Sequence, residues 1–318
     1  MTEPVPAPVR ELLAEGSFCH VATSTRYGPH VTPMVFAEAG DRVWVTTSRR
    51  SVKAMAWARD PRVGGLVRVG ERAAIFAGTA ATYDLLDPES WGRSFRESPV
   101  IALAAARYTK KNARFFAGYA VDADHVPLAW TPPGRVFAEL RIERSATIVG
   151  DEIASAWGEW DDSTDGVERF RVPKAGSGLF DAIEPEIREG LGSAGAGALA
   201  VSTEDGPIVL PASWVLDGPG VYAVLHAEAL ALAGFGPVAP AALCVDRPSS
   251  WRAREMVGAM VRGTGRIAVP GTLQSGERSV QRLARAAGAD PSTSAVVGLE
   301  PERLVWWRGW DSGTVSIR

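Results

Sequence analysis

The chain has 318 residues, with 34 lysines and arginines together against 37 aspartates and glutamates, and a formal net charge of −3. A hydrophobic fraction of 46% with 22% charged residues excludes an intrinsically disordered chain. The near-neutral charge also argues against a protein built around a basic nucleic-acid surface. At about 100–200 residues per domain, the length predicts two domains or one large one.

Hydrophobic spacing predicts a helix over residues 9–15, then strands over 18–24 and 30–37 flanking a turn at Gly28-Pro29. A strand over 42–47, a short helix near 51–58, and strands over 62–69 and 73–83 follow. Residues 87–120 are rich in Ala, Arg and aromatics at helical spacing, and strand patterning resumes over 135–148 and 152–160. The polar, Gly-bearing stretch 161–177 reads as a linker. Beyond it come a helix over 183–190, strands over 198–202, 208–216 and 221–225, and a helix over 226–234. Strands over 241–246, 253–267 and 296–307 complete the chain. Many short strands with few helices predict a mainly β protein whose antiparallel sheets close into barrels.

The chain repeats itself. Ala22, Ser24, Thr25, Gly28, Pro29, Val31 and Pro33 recur as Ala200, Ser202, Thr203, Gly206, Pro207, Val209 and Pro211, at a constant offset of 178. Leu140, Glu143 and Arg144 recur as Leu299, Glu302 and Arg303 at an offset of 159, so the first copy is about 19 residues longer in its middle. The predicted organisation is a first barrel over 1–160 with a helical insertion at about 87–120, a linker over 161–180, and a second barrel over 181–318.

Cys19 and Cys244 form no C-x-x-C pair, which argues against a disulfide scaffold, a cysteine zinc site and an iron–sulfur cluster. His20, His30, His125 and His226 show no metal-ligand spacing, and no metal is expected. Residues 190–195 fit G-x-G-x-x-G, but a helix precedes and a strand follows, the reverse of the dinucleotide fingerprint. The N-terminus lacks the basic-then-apolar order of a secretory signal. The most apolar long window, 223–245, is broken by His226, Glu228, Pro237 and Pro240 and reads as buried core. A cytoplasmic protein without membrane or nucleic-acid partners is expected. The eleven tryptophans read as barrel packing, and the basic run from Arg107 to Arg114 as a solvated face or a lid.

The richest chemistry lies where the strand over 42–47 meets the next helix. Ser48, Arg49, Arg50, Ser51 and Lys53 cluster there beside Thr46 and Thr47. Hydroxyls, guanidinium groups and an ammonium suit an anion such as phosphate, whereas Ser48 as a plain helix cap with solvated arginines is the structural alternative.

The order strand, Gly-Pro turn, strand, strand, T-x-x-x-S-x-K, helix, D-P-R-V resembles the pyridoxamine 5'-phosphate oxidase-like, FMN-binding split-barrel superfamily and its deazaflavin-using relatives. Thr47, Ser51 and Lys53, followed by Asp60-Pro61-Arg62-Val63, carry the resemblance. It covers residues 12 to about 83, and 199–224 through the repeat. It implies two tandem split β-barrels forming an intrachain pseudo-dimer with peripheral helices. It further implies that Thr47, Ser51 and Lys53 anchor a cofactor phosphate, with Thr46, Ser48, Arg49 and Arg50 nearby. Pro33, Met34 and Val35 would lie along the flavin ring. In the second copy these anchors become Leu225, Ala229 and Ala231. One FMN-type cofactor per chain is therefore expected, with Trp251, Arg252 and Arg254 of the second barrel as candidates for the opposite wall. The implied activity is hydride transfer to or from a small-molecule substrate. Deazaflavin in place of FMN, haem on a histidine such as His125, and a non-catalytic module of this fold are the alternatives. The chain would act as a monomeric pseudo-dimer or as a homodimer.

Overall fold

The computed structural model describes residues 4–84, 86–127, 134–150, 152–160, 179–218, 220–236, 238–249, 251–268 and 277–316. The first half contains α1 (Ala7–Glu15), β1 (Phe18–Thr25), β2 (Gly28–Glu38), β3 (Arg42–Ser48), α2 (Val52–Trp57), β4 (Arg62–Val69) and β5 (Arg72–Tyr83). Three helices follow, α3 (Pro88–Arg96), α4 (Ser98–Lys111) and α5 (Ala113–Val121), and then β6 (Arg135–Val149) and β7 (Glu152–Trp157). The second half contains α6 (Pro185–Leu191), β8 (Ala194–Thr203), β9 (Gly206–Asp217), β10 (Gly220–His226), α7 (Ala227–Leu232), β11 (Val238–Arg247), β12 (Val257–Ala268), α8 (Glu277–Ala286), β13 (Ser294–Arg308) and β14 (Asp311–Ser316).

The first sheet runs β3-β2-β1-β4-β5-β6-β7, and pairing of β3 with β6 closes six of its strands into an antiparallel barrel. The second runs β10-β9-β8-β11-β12-β13-β14 and closes through β10 and β13. The fold is therefore mainly β, two tandem split barrels with peripheral helices. Closure removes the unpaired sheet edges that an open sheet would expose.

The repeat extends to backbone detail. Gly28 and Gly206 both turn their hairpins at positive φ (94° and 115°), and Thr25 and Thr203 donate their hydroxyls to the carbonyls of those glycines at 2.7 and 2.8 Å. Each barrel also carries a register shift, at Ala77/Gly78 and at Arg262/Gly263. A Cβ at Gly78 would lie 1.9 Å from the Arg141 carbonyl oxygen, and one at Gly263 the same distance from that of Glu300. The two bulge glycines are offset by 185, because the β11–β12 connection is longer than the β4–β5 turn. Residues 161–178 of the predicted linker lie outside the described residues, and Leu179–Ala182 forms a short 3₁₀ turn.

Val21, Phe36, Val43 and Leu140 fill the first barrel. A second core runs across the junction, joining Ala22, Val31 and Leu66 of the first barrel to Val209, Leu243 and Met260 of the second. Each of the Val, Leu, Phe and Met side chains among them contributes about 1.5–3 kcal/mol when fully buried. The junction admits no spare volume at Gly64, where a Cβ would stand 2.3 Å from the Pro207 carbonyl oxygen. Polar contacts cross it too: His20 Nε2 lies 2.7 Å from Asp246 Oδ1, and Arg144 Nη1 lies 2.7 Å from Asp205 Oδ2. The apolar window at 223–245 is β10, α7 and β11, and among the described residues no helix is long and apolar enough to cross a membrane.

The insertion is three helices packed on the outside of the first barrel. Buried Asn112, between α4 and α5, donates its side-chain amide to the carbonyls of Phe36 (3.2 Å) and Tyr108 (2.9 Å). The basic run is not one solvated face. Lys111 donates to the Leu13 carbonyl and sits 3.8 Å from the Phe36 ring centroid, and burial lowers its pKa from 10.5 to about 8.

Candidate functional site

A cavity of about 340 Å³ opens between the two barrels. That lies within the roughly 300–1,000 Å³ range of small-molecule and cofactor sites. One side is β2, through Thr32, Pro33, Met34 and Val35, together with the β3–α2 junction, through Thr46, Thr47, Ser48, Ser51 and Lys53. The other is the second barrel's β13–β14 hairpin, through Trp307, Gly309, Trp310 and Asp311, with Ala253 and Met256 of the β11–β12 connection. The insertion contributes Phe115 and Tyr119 from α5.

At the junction each hydroxyl has a distinct task. Ser51 caps α2, accepting from the Ala54 backbone N–H at 3.1 Å and from the Thr47 hydroxyl at 2.9 Å. The Thr46 hydroxyl is held by Arg135, whose Nη2 donates to it at 2.8 Å and to the Thr46 carbonyl at 2.7 Å, and it shares a hydrogen bond with Tyr108 Oη at 3.0 Å. Ser48 makes no side-chain hydrogen bond among the described residues and faces the cavity.

Lys53 is the most constrained group. It is 4% exposed, and its Nζ donates to Thr32 Oγ1. Among the described residues no carboxylate pairs with it. Burial lowers its pKa from 10.5 to about 8, so the ammonium persists at neutral pH without an anion to balance it. A buried cation of this kind is stabilised by an incoming anion. Beside it His30 is held well below its ordinary pKa by burial and by the charges of Lys53 and Arg262, and lines the cavity as a neutral imidazole.

The structure thus gathers Pro33, Met34, Val35, Thr46, Thr47, Ser48, Ser51 and Lys53 around one space. It places the other five candidates elsewhere, Arg254 among them, which is exposed and does not line the cavity. Arg49 forms a two-point ion pair with Asp84 at the end of β5, and Arg50 is exposed in the turn before α2. Trp251 lies on the surface under the Arg114 guanidinium, 5.5 Å from its centroid. Arg252 pairs with the buried Asp122 and ties the insertion to the second barrel. Gly118 permits that approach: a Cβ there would be 1.9 Å from the Trp251 carbonyl oxygen.

Several lining residues escaped the sequence reading. Trp307 and Trp310, assigned to packing, line the cavity, and Tyr119 meets Trp310 edge-on at 5.0 Å. His125, the candidate haem ligand, does not line it; His30 does. The structure also brings His20, Cys244 and Asp246 together, with ligand atoms within 4.8 Å of one another, a grouping invisible to sequence spacing. Lys53 lies within electrostatic reach of Cys244, and Arg68 within reach of Asp246. Those two positive charges oppose capture of a divalent cation between them.

Residues 6–81, the first barrel up to most of β5, match a family model described as Pyridoxamine 5'-phosphate oxidase. No curated protein matches the chain. Among solved structures it is similar to a FAD-binding protein from Mesorhizobium loti, with 14% identity, covering 45% of this chain and 94% of that one, TM-score 0.32. It is similar to a pyridoxamine 5'-phosphate oxidase-related, FMN-binding protein from Nostoc punctiforme, with 17% identity, 44% and 78% coverage, and TM-score 0.31. A third is an F420 reductase, with 20% identity, 45% and 98% coverage, and TM-score 0.30.

Proposed function

We propose that the chain holds one flavin-type cofactor, FMN or a deazaflavin, in the inter-barrel cavity and acts as an oxidoreductase on a small molecule. The observation that carries this reading is Lys53: a buried ammonium with no acidic partner among the described residues, facing a cofactor-sized space in the segment that matches the family model. Lys53, Ser48 and the Ser51 hydroxyl would hold the phosphate, and the backbone of Pro33–Val35 would lie along the ring. When bound, the cofactor supplies hydride transfer. The chain's residues orient it and exclude water: Phe115, Tyr119 and Trp310 form an apolar cover, and Arg135 keeps β3 and β6 in register through Thr46.

Purified protein titrated with FMN and, separately, with deazaflavin, and followed by absorbance from about 300 to 600 nm where these chromophores absorb, tests the reading. Saturation by one of them at a single equivalent per chain is expected. Absence of saturable binding by both refutes it.

A further inference from the structure

A second cavity, of about 400 Å³, occupies the position related to the first by the internal repeat. Pro33, Met34 and Val35 correspond to Pro211, Ala212 and Ser213 at the offset of 178. Thr47, Ser48 and Ser51 likewise correspond to Leu225, His226 and Ala229. All of these line their respective cavities. Facing them are the first barrel's β4–β5 and β6–β7 turns, where Ile148 and Gly150 stand at the positions of Trp307 and Gly309.

What fills the second cavity differs in kind. The positions of Thr47, Ser48, Ser51 and Lys53 carry no hydroxyl or ammonium here, Ser213 and Ser294 bring hydroxyl-bearing side chains to other parts of the wall, and Arg68 of β4 reaches in from the first barrel. One nitrogen, Nη2, is anchored on backbone carbonyls, to Gly197 at 3.0 Å and Ala212 at 3.3 Å. Its Nε and Nη1 make no hydrogen bond, and no carboxylate pairs with it, among the described residues. Burial lowers its pKa, and the charge of Asp246 offsets this only in part. His226 lines the same cavity with its Nδ1 buried and, among the described residues, without a hydrogen-bond partner, 3.9 Å from Glu228 Oε2. An anchored guanidinium with open donors is a preorganised site for an anionic oxygen.

We propose that this cavity binds a compact monocarboxylate, independently of any cofactor in the first cavity. The single charge follows from the surroundings: one guanidinium, with exposed Glu71 at the mouth and Asp246 within its field, does not balance a dianion. The rest of the ligand is mainly apolar, to suit Val224, Leu225, Ala229 and Ile148, although the hydroxyl-bearing Ser213 and Ser294 also line the cavity.

Benzoate, butyrate and inorganic phosphate are the probes, titrated into the full-length protein by calorimetry. Saturable binding of benzoate or butyrate, weakened at least about tenfold in Arg68→Met and retained in Lys53→Met, is expected; a lost charge-assisted hydrogen bond accounts for that factor. No saturable binding of either carboxylate overturns the proposal, and so does equal binding in Arg68→Met. Loss in Lys53→Met instead assigns the carboxylate to the first cavity and also overturns it, as does a preference for phosphate. Should Arg68→Met fail to fold, the His226 ring resonance of the wild type, identified by its loss in His226→Gln, gives the answer. Movement with benzoate supports the proposal, and a stationary resonance refutes it.

Discussion

Replacing Lys53 with methionine removes the charge while keeping most of the side-chain volume, and two opposite effects follow. A pKa lowered from 10.5 to about 8 means that the folded protein without ligand carries the ammonium at a cost of about 3 kcal/mol at pH 7. Because the group is buried, little solvent screening reduces that figure. Lys53→Met should therefore stabilise the ligand-free protein by up to about 3 kcal/mol in urea unfolding at pH 7. The folded-state pKa is lowered, so the penalty is complete below about 8 and vanishes as pH rises to 10.5, the unfolded value. Wild-type stability should climb through that window relative to Lys53→Met. Lys111 titrates in the same range, and Cys19, whose thiol burial pushes up to about 12, acts in the opposite sense above pH 9. Both contributions cancel to first order in the difference between the two proteins. Flavin binding should move the other way, weakening by about ten- to a hundredfold, because a charge-assisted hydrogen bond contributes about 1.5–3 kcal/mol. A Lys53→Met protein that is less stable than wild type at pH 7, or that binds flavin equally well, refutes the reasoning.

Three further perturbations test the frame around the site. Gly64→Val places side-chain atoms against the Pro207 carbonyl oxygen, 2.3 Å from the first added carbon, and should cost about 3 kcal/mol or more and separate the unfolding of the two barrels in a urea titration. Arg42→Met leaves Glu139, whose side chain is fully buried, with Arg141 at 2.8 Å as its remaining ion-pair partner among the described residues; a loss of about 3 kcal/mol is expected, partly restored by adding Glu139→Gln. Gly118→Val forces α5 from the Trp251 carbonyl, so limited proteolysis within α5 should accelerate and flavin affinity should fall at least about tenfold.

The elements legible in the sequence are those whose signal is local. The hairpin glycines at 28 and 206, the strand alternation and the T-x-x-x-S-x-K junction each declare themselves within a few residues, and the structure puts that junction at the cavity. The opposite wall was not legible, because partners far apart in sequence decide it. Arg252, expected on that wall, is diverted by Asp122, as Arg49 on the near side is by Asp84, two acids whose proximity no spacing reveals. One signal was present and unused: the offset of 159 carries Glu152, at the start of β7, onto Asp311, at the start of β14. Extending the repeat to that strand would have placed the Trp307–Asp311 hairpin opposite the junction. α8 was not among the expected elements although its polar sequence has helical periodicity, and the helical insertion expected over about 87–120 is helical, divided at Glu97 and Asn112 into three helices.

The two cavities also show how one barrel pair comes to hold unlike sites. At the offset of 178, Lys53 corresponds to Ala231 and Arg68 to Asp246, so the first barrel supplies the cation in both cavities. The second supplies none at either position. Lys53 turns into the cavity formed with its own β2 and β3, whereas Arg68 crosses the junction to the carbonyls of β8 and β9. Ala212, whose carbonyl receives Arg68, stands at the position of Met34. The guanidinium therefore occupies the strand edge that a second flavin ring would need. A phosphate anchor lost at Leu225, Ala229 and Ala231 would by itself only weaken cofactor binding there. The arginine adds a steric and hydrogen-bonding block, and this is the physical basis for expecting a single flavin per chain even at saturating concentration.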